Sequence, residues 1–562
     1  MAKAETKPAQ RPALPLETLL LLAPFFFGCY YPWVSALASL CLLSLLFLWQ
    51  RAGPLAFRAS PLLFTTVSIV LFHLLGTLWG VDRGMAPVGA VKFLPLPLLV
   101  LALDQFRPEE RMRLFRRLPY AACVMVILSL LLSLVPALKA WFIINSRQAG
   151  FFQYPNTYAL YLLAAVAVVL FGEPLRFGPL PYLAVLLAGI ALSGSRTVFV
   201  LLIPVLVFAC IWEKDKKRKT QLAGFFAALL VLGTAAVVLT GDRATLGRFL
   251  TISLRSSELL GRLLYARDAL PVILRHPFGL GYLGYSWLQG SFQTGVYAVR
   301  HVHNELLQLL LDAGWIPAVL FVISFVRAFR VPRNRLLRSV LLTVIGLHCL
   351  LDFDTQFVSV ALLLFLVMDT EPQTGKTGKA GTTAAAAGVL LGLFTLYFGA
   401  ADFTSFCGKP EAAVKLYPGY TSALVDLLPK AQTAEELDAI ADRILRVDGS
   451  VALAHSAKSR TAFSQGKFNA AVQEKEEAIR LAKYTRAEYL DYFDMLEEAY
   501  GIYTAAGEEA SAAFCLEKMA AIPRMLRETE AGTSRLGRAI LDQPDLDFPE
   551  EYQARLDRLT GK

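Results

Sequence analysis

The chain is 562 residues long, 56% hydrophobic and only 18% charged, an apolar share that no soluble globular fold needs. Its seven cysteines include none of the CxxC or paired Cys/His spacings of a zinc site, so no metal site is expected. The net charge of +10 is gathered mostly in short basic loops between apolar runs and gives no argument for nucleic acid.

A membrane helix needs about 20 apolar residues. Thirteen runs near that length follow one another, at 16–33, 34–49, 62–80, 86–103, 118–138, 155–171, 178–193, 196–212, 220–240, 304–326, 336–351, 356–370 and 384–401. The shortest leave the number of spans at about 12–13. The fold class expected is all-α: a polytopic bundle over 1–401, followed by a helical domain over 402–562. The first run leads straight into the second with no small-residue cleavage pattern, so no cleavable signal peptide is expected.

Basic residues cluster in alternate loops. Arg107, Arg111, Arg113, Arg116 and Arg117 fall between one pair of runs, and Lys214, Lys216, Lys217, Arg218 and Lys219 between another. Arg327, Arg330, Arg333, Arg335 and Arg338 form a third cluster, on the same side as Lys3, Lys7, Arg11, Lys376 and Lys379. Basic loops stay in the cytoplasm. The N-terminus is therefore expected inside, and the long loop 241–303 and everything after the last run outside. Two ionisable residues, Lys92 and Asp312, fall within runs, where such groups are usually paired or functional.

The residues with chemistry gather on the outer side. In "NSRQAGFFQYPNTYALYLL", Arg147 stands just before a span and Pro155-Asn156 at its entry. In "SGSRTVFV", Arg196 opens another span behind Ser193, Gly194 and Ser195. An outer boundary is an unfavoured place for arginine, which points beyond simple snorkelling. The outer loop carries Arg243, Arg248, Arg255, Arg262, Arg267, Arg275 and Arg300 and no lysine. A guanidinium is a permanent charge with a planar fork of donors matched to phosphate or carboxylate oxygens. "HPFGLGYLGY" has the spacing GxGxxG but lacks the strand that a dinucleotide fold requires. It is expected to be a glycine-rich turn that lets the backbone approach substrate or a membrane surface.

"RHVHNELLQLLLDAGW" sets two histidines, an asparagine and a glutamate at the mouth of the next run. His303 suits a general base or a hydroxyl-orienting group, because imidazole titrates near neutrality. His301, two residues away, shares a face with it only in a strand. Asn304 and Gln308, one helical turn apart, suit sugar hydroxyls or helix capping equally. In "LHCLLDFDTQF", His348, Asp352 and Asp354 fall at another outer boundary, where a structural hydrogen-bonding role is equally fitting.

The stretch "TGKTGKAGTT" lacks the leading glycine and strand of a phosphate loop and reads as a linker. Beyond residue 402 the sequence turns rich in Ala, Glu, Lys and Arg with helical periodicity. Two helix pairs are expected, turning at Gly466-Lys467 and at Gly507, in the manner of degenerate tetratricopeptide repeats. Such a stack offers a surface for a protein partner, or serves only as a cap. Cys407 and Cys515 in this tail are the one pair left open for a bridge.

The ordered set running from SGSR through "GRLLYARDALPVILRHPFGLGYLGY" and "HVHNELLQLLLDAGW" to "LHCLLDFDTQF" resembles the O-antigen ligase and polymerase family of membrane glycosyltransferases. Trp315-Ile316-Pro317 stands where that family often has a second glycine, and Tyr265 near a frequent tryptophan. The resemblance implies transfer of a glycan from an undecaprenyl-diphosphate donor to a glycan, lipid or protein acceptor, at the outer face of a bacterial cytoplasmic membrane. It implies no cofactor, no metal and inversion at the sugar. By position, Arg196 and Arg262 match the arginines that hold the lipid diphosphate, with Arg147 as a further candidate, and His303 matches the essential histidine. His301, Asn304 and Gln308 are candidates for positioning acceptor or sugar. Ligase, repeat-unit polymerase and protein oligosaccharyltransferase differ only in acceptor. A transporter of lipid-linked glycan would need two related halves and a polar path across the bundle, and neither is visible; a non-catalytic scaffold is the remaining reading.

Overall fold

The computed structural model describes residues 11–240, 256–331, 334–369, 376–378 and 382–561. The sequence expectations on Lys3, Lys7, Arg243, Arg248, Arg255, Arg333 and Lys379 lie outside the described residues. The protein is all-α, with a few two- and three-residue strands. Helices form along each of the thirteen apolar runs. Four are long and apolar enough to cross a membrane alone: Pro32–Ala52, Pro61–Trp79, Ala86–Leu103 and Ala385–Phe406. Seven others are apolar but shorter, such as Leu180–Ser193 and Val358–Met368. At about 1.5 Å per residue these fall short of the hydrocarbon thickness by themselves.

Burial sorts the helices. Every residue of Ala86–Phe93 and of Val358–Met368 is buried, and nearly all of Pro155–Phe171. A helix apolar on all sides belongs at the centre of a bundle. On Ala385–Phe406, by contrast, Val389, Leu390, Leu393 and Leu396 are exposed, which is what a lipid-facing surface requires.

Two of the broken runs shape the core around the site. Pro95 divides 86–103 into Ala86–Phe93 and Pro95–Leu103, since proline offers no amide hydrogen to the preceding turn. The run 304–326 is not one helix as expected, but Glu305–Ala313 followed by Trp315–Ala328. Gly314 lies between them at φ +80°, where a β-carbon would stand 2.4 Å from the Pro277 carbonyl oxygen. The glycine-rich turn explains the break. Leu280 and Gly281 donate their amides to the carbonyls of Leu311 and Asp312, and Trp315 donates to that of Pro277. A β-carbon on Gly279 would meet the Asp312 carbonyl oxygen at 2.7 Å. The turn thus brings backbone against the chain's own broken helix.

The bundle has two polar ends. At one, Arg58 and Arg111 converge on Asp104 and Asp369, and Leu55–Phe57 pairs antiparallel with Lys376–Gly378. The other end gathers the loops around residues 28–31, 80–85, 145–156, 193–196 and 350–357 with the segment 256–304. The last apolar helix, Thr382–Phe406, runs past residue 402 before the chain turns into a helical layer. There Ala452–Ser464 pairs with Phe468–Leu481 about Gly466, and Arg486–Ala506 with Glu509–Ala531 about Gly507; both glycines are at φ +73°. This layer sits on the second polar end. Thr421 Oγ1 donates to Asp82 Oδ1 at 2.7 Å, the Arg83 amide to the Val447 carbonyl at 3.0 Å, and the Ser534 amide to the Thr294 carbonyl at 2.8 Å. Cys407 and Cys515 are free thiols, so the bridge left open is not formed.

Candidate active site

Asp352 lies just beyond the helix Arg335–Cys349, its side chain 1% exposed. Its carboxylate is the hub of the second polar end. Tyr154 Oη donates to Oδ1 at 2.8 Å and Asn156 Nδ2 to Oδ2 at 2.8 Å. Arg262 Nη2 reaches Oδ2 at 3.2 Å, and His303 Nδ1 stands 3.3 Å from Oδ1. Burial alone would push this carboxyl up. The facing His303 and Arg262 outweigh burial and hold it well below the usual carboxylate range.

His303 reaches the hub through its backbone. It adopts φ +55°, a left-handed conformation uncommon for a side chain of this size, immediately before the helix start. Asn304 caps that helix: its Oδ1 accepts from the Leu307 amide at 3.0 Å, and its Nδ2 donates to the Leu350 carbonyl at 2.9 Å. Helix and histidine therefore diverge, and the His303 side chain remains 19% exposed. Its Nδ1 faces the carboxylate at 3.3 Å, outside hydrogen-bond geometry, and no hydrogen bond is made by Nε2 among the described residues. Phe353 stands edge-on to the His303 ring, with centroids 4.9 Å apart.

The arginines approach from three elements. Arg262 is on the helix Ser257–Arg275, one turn after Glu258. Glu258 pairs with Arg196, so one helix face engages both Asp352 and the SGSR turn. That turn exists because Gly194 ends Leu180–Ser193 in the left-handed conformation, at φ +58°, and Ser195 precedes the next helix. Arg147 follows a two-residue hairpin in which Asn145 and Ser146 both have positive φ. Its Nε donates to the Ser193 carbonyl at 2.7 Å and its Nη2 to Asn156 Oδ1 at 2.6 Å. Arg147, Arg196, Arg262 and His303 thus belong to one connected network with Asp352 at its centre. Arg267 and Arg275 point away and are exposed.

The other named residues lie deeper. His301 is buried, with Nε2 3.2 Å from Tyr30 Oη and its ring 4.9 Å from that of Phe353. Burial, then Lys92 and Arg300, hold its pKa well below the ordinary imidazole value. Gln308 is buried, accepting from the Val302 amide at 2.9 Å and donating to Asp312 Oδ1 at 2.9 Å. Lys92 Nζ donates to Gln356 Oε1 at 3.1 Å, beneath the Tyr30 ring. His348 and Asp354 pair at 2.6 Å, and Thr157 donates to the same carboxylate. Sequence reasoning left Asp352 equally open to a structural and a functional role and did not see its convergence with Tyr154 and Asn156. The signal available was a second acidic residue at a helix exit on the histidine side.

No curated protein and no solved structure matches the chain. Residues 181–322 match the family model described as O-antigen ligase. The matched stretch contains the SGSR turn, the Arg262 helix and the HVHN element, while Arg147, Tyr154, Asn156 and Asp352 come from outside it. Over residues 181–322 the chain is thus similar to the O-antigen ligase family.

Proposed function

We propose that the protein transfers a glycan from an undecaprenyl-diphosphate donor to an acceptor hydroxyl, at the polar end of the bundle where His303 and Asp352 meet. The observation that carries this reading is the approach of a buried carboxylate to His303 Nδ1 while Nε2 makes no hydrogen bond among the described residues. A carboxylate facing Nδ1 keeps the proton on that nitrogen and makes Nε2 the acceptor. Nε2 takes the proton of the acceptor hydroxyl as its oxygen attacks the anomeric carbon. The bond from that carbon to the diphosphate oxygen breaks on the opposite face, and the sugar inverts.

The departing diphosphate keeps the electron pair, and fixed cations lower the barrier to its departure. Arg196 and Arg262 are suited to this. Among the described residues Arg196 pairs with Glu258 alone, whose side chain is 71% exposed, and an exposed pair is weak enough for phosphate to displace it. Arg147 ties the SGSR turn to Asn156 and adds positive charge behind the phosphates. On this reading the site and the C-terminal layer face outward, because the basic end belongs in the cytoplasm.

The test is turnover by the purified protein with undecaprenyl-diphosphate-linked oligosaccharide and three acceptors: a core glycolipid, a second lipid-linked oligosaccharide and an acceptor protein. Transfer to one of them by the wild type, lost in His303→Ala at unchanged folding, is expected. Absence of transfer to all three overturns the reading.

A further inference from the structure

The helix Ser257–Arg275 is held from two sides. Its inner face engages the bundle through Glu258 and Arg262. Across its other side lies a strap of the C-terminal domain, residues 533–546, which has little regular structure beyond one short turn at Gly537–Ala539. The Leu541 amide donates to Ser257 Oγ at 2.7 Å and the Ser534 amide to the Thr294 carbonyl at 2.8 Å. Ile540 and Leu536 close a small apolar core with Leu260, Leu264, Tyr265 and Tyr297. The two backbones meet at glycines: a β-carbon on Gly295 would stand 2.6 Å from Gly537 Cα, and one on Gly537 would stand 2.5 Å from the Thr294 carbonyl oxygen. Asp268 fixes the loop beneath, accepting from the Thr294 amide and hydroxyl and from Tyr297 Oη.

The strap's exposed face is unusual for a soluble layer. Leu541 is 81% exposed, though its backbone is anchored, and Asp542 beside it is exposed with no hydrogen-bonding or ion-pair partner among the described residues. Ile540, next to Leu541 in the chain, packs with Tyr265, whose ring lies 4.7 Å from that of Tyr297 and 6.0 Å from that of His303. Burial and then the Asp542 carboxylate push the Tyr265 phenol up, which places that carboxylate within electrostatic reach of the ring.

We propose that the strap forms the acceptor side of the site, with Asp542 receiving hydrogen bonds from sugar hydroxyls of the acceptor while Leu541 and the Tyr265 ring pack against the sugar's apolar face. A carboxylate beside an aromatic ring suits a carbohydrate, whose rings carry donors at their edges and apolar C–H groups on their faces. The proposal rests on the glycan-transfer reading above. It gives the C-terminal domain a part in choosing the acceptor, remote from the diphosphate contacts of Arg196 and Arg262.

The experiment uses the full chain in lipid nanodiscs, with undecaprenyl-diphosphate-linked oligosaccharide as donor and whichever of a core glycolipid or a second lipid-linked oligosaccharide the wild type accepts. Asp542→Ala is expected to raise the acceptor KM about tenfold, the scale of one hydrogen bond to a charged group, with kcat and donor KM unchanged. Asp542→Glu should recover most of that loss. Gly537→Val, which wedges the strap from Gly295, should raise the acceptor KM at least as much. An unchanged acceptor KM in Asp542→Ala overturns the proposal. So does a parallel fall in kcat and both affinities that Glu fails to rescue, because that is the mark of a purely structural residue. If the wild type accepts neither probe, the transfer reading itself falls for glycan acceptors and takes the strap's role with it.

Discussion

At opposite ends of the same bundle, aspartate faces arginine in two different ways. At the basic end, the Asp369 side chain is fully buried, and its partners Arg58 and Arg111 are 9% and 2% exposed. Arg58 also pairs with Asp104, so the cluster ties together the segments around residues 58, 104–111 and 369. Burial pushes the Asp104 carboxyl up to about 6 despite Arg58 beside it. At the other end Asp352 is as deeply buried, yet Arg262 and His303 are 18% and 19% exposed, and its carboxyl is held low. A cluster closed on all sides can only hold loops together. One that buries the anion and leaves its cationic partners half-open can exchange those partners for a substrate's charge.

The comparison breaks most sharply at His303. His303→Ala should cost about 10²–10⁴-fold in turnover per folded protein, the usual worth of a general base, with donor binding and yield nearly intact. A parallel fall in yield and activity would make the second cluster as structural as the first. Asp369→Ala is the counterpart. Removing one member of a buried pair leaves uncompensated charge and costs about 3–5 kcal/mol of stability, so yield and thermal stability should collapse while surviving molecules turn over normally. Normal stability in that variant would mean that the closed cluster is not what fixes the basic end.

A smaller effect separates the arginines. Arg262→Ala and Arg196→Ala should each remove about 1.5–3 kcal/mol of transition-state stabilisation, read as kcat/KM at subsaturating donor. Lysine should rescue either only in part, since it keeps the charge but loses the fork. Wild-type kcat/KM in both alanine variants would leave the open cluster without a diphosphate role.

How much of this was legible before folding differs between the two clusters. Arg196 and His303 could be singled out from residue type and position, because arginine at an outer boundary and imidazole at a helix mouth are costly choices; Arg262, one of seven arginines in the outer loop, was singled out only by the resemblance. The apolar runs were equally plain, since hydropathy needs no tertiary information. Asp352 was not, because what distinguishes it from Asp354 two residues on is its partners: Tyr154, Asn156, Arg262 and His303 come from sequence positions far apart. The break at Gly314 escaped for the same reason. Its cause is the carbonyl of Pro277, brought alongside by a turn whose glycines were read as facing outward. Asn304 and Gln308 were left between capping and sugar binding; Asn304 is found capping the helix and donating to the Leu350 carbonyl, and Gln308 bridging the Val302 amide and Asp312.

The least disruptive change tests the two histidines against each other. His301 and His303 both contact Phe353, but His301 is buried against Tyr30 and, among the described residues, makes no hydrogen bond to Asp352. Its pKa lies well below the ordinary value because burial, Lys92 and Arg300 all disfavour the cation. An imidazole whose folded pKa is depressed stays neutral as the pH falls through the range where a free histidine protonates near 6.5. His301 therefore contributes no protonation step between pH 6 and 8, and the acidic limb of the rate profile must belong to another group. His301→Phe keeps the ring stack and loses only the contact to Tyr30, so turnover should fall less than about tenfold, on the scale of one neutral hydrogen bond. The acidic limb of kcat/KM should stay where it is in wild type. His303→Ala, at whatever residual rate it retains, should lose that limb altogether. A limb that vanishes in His301→Phe and persists in His303→Ala would exchange the roles of the two histidines and move the base from the open cluster into the buried core beneath it.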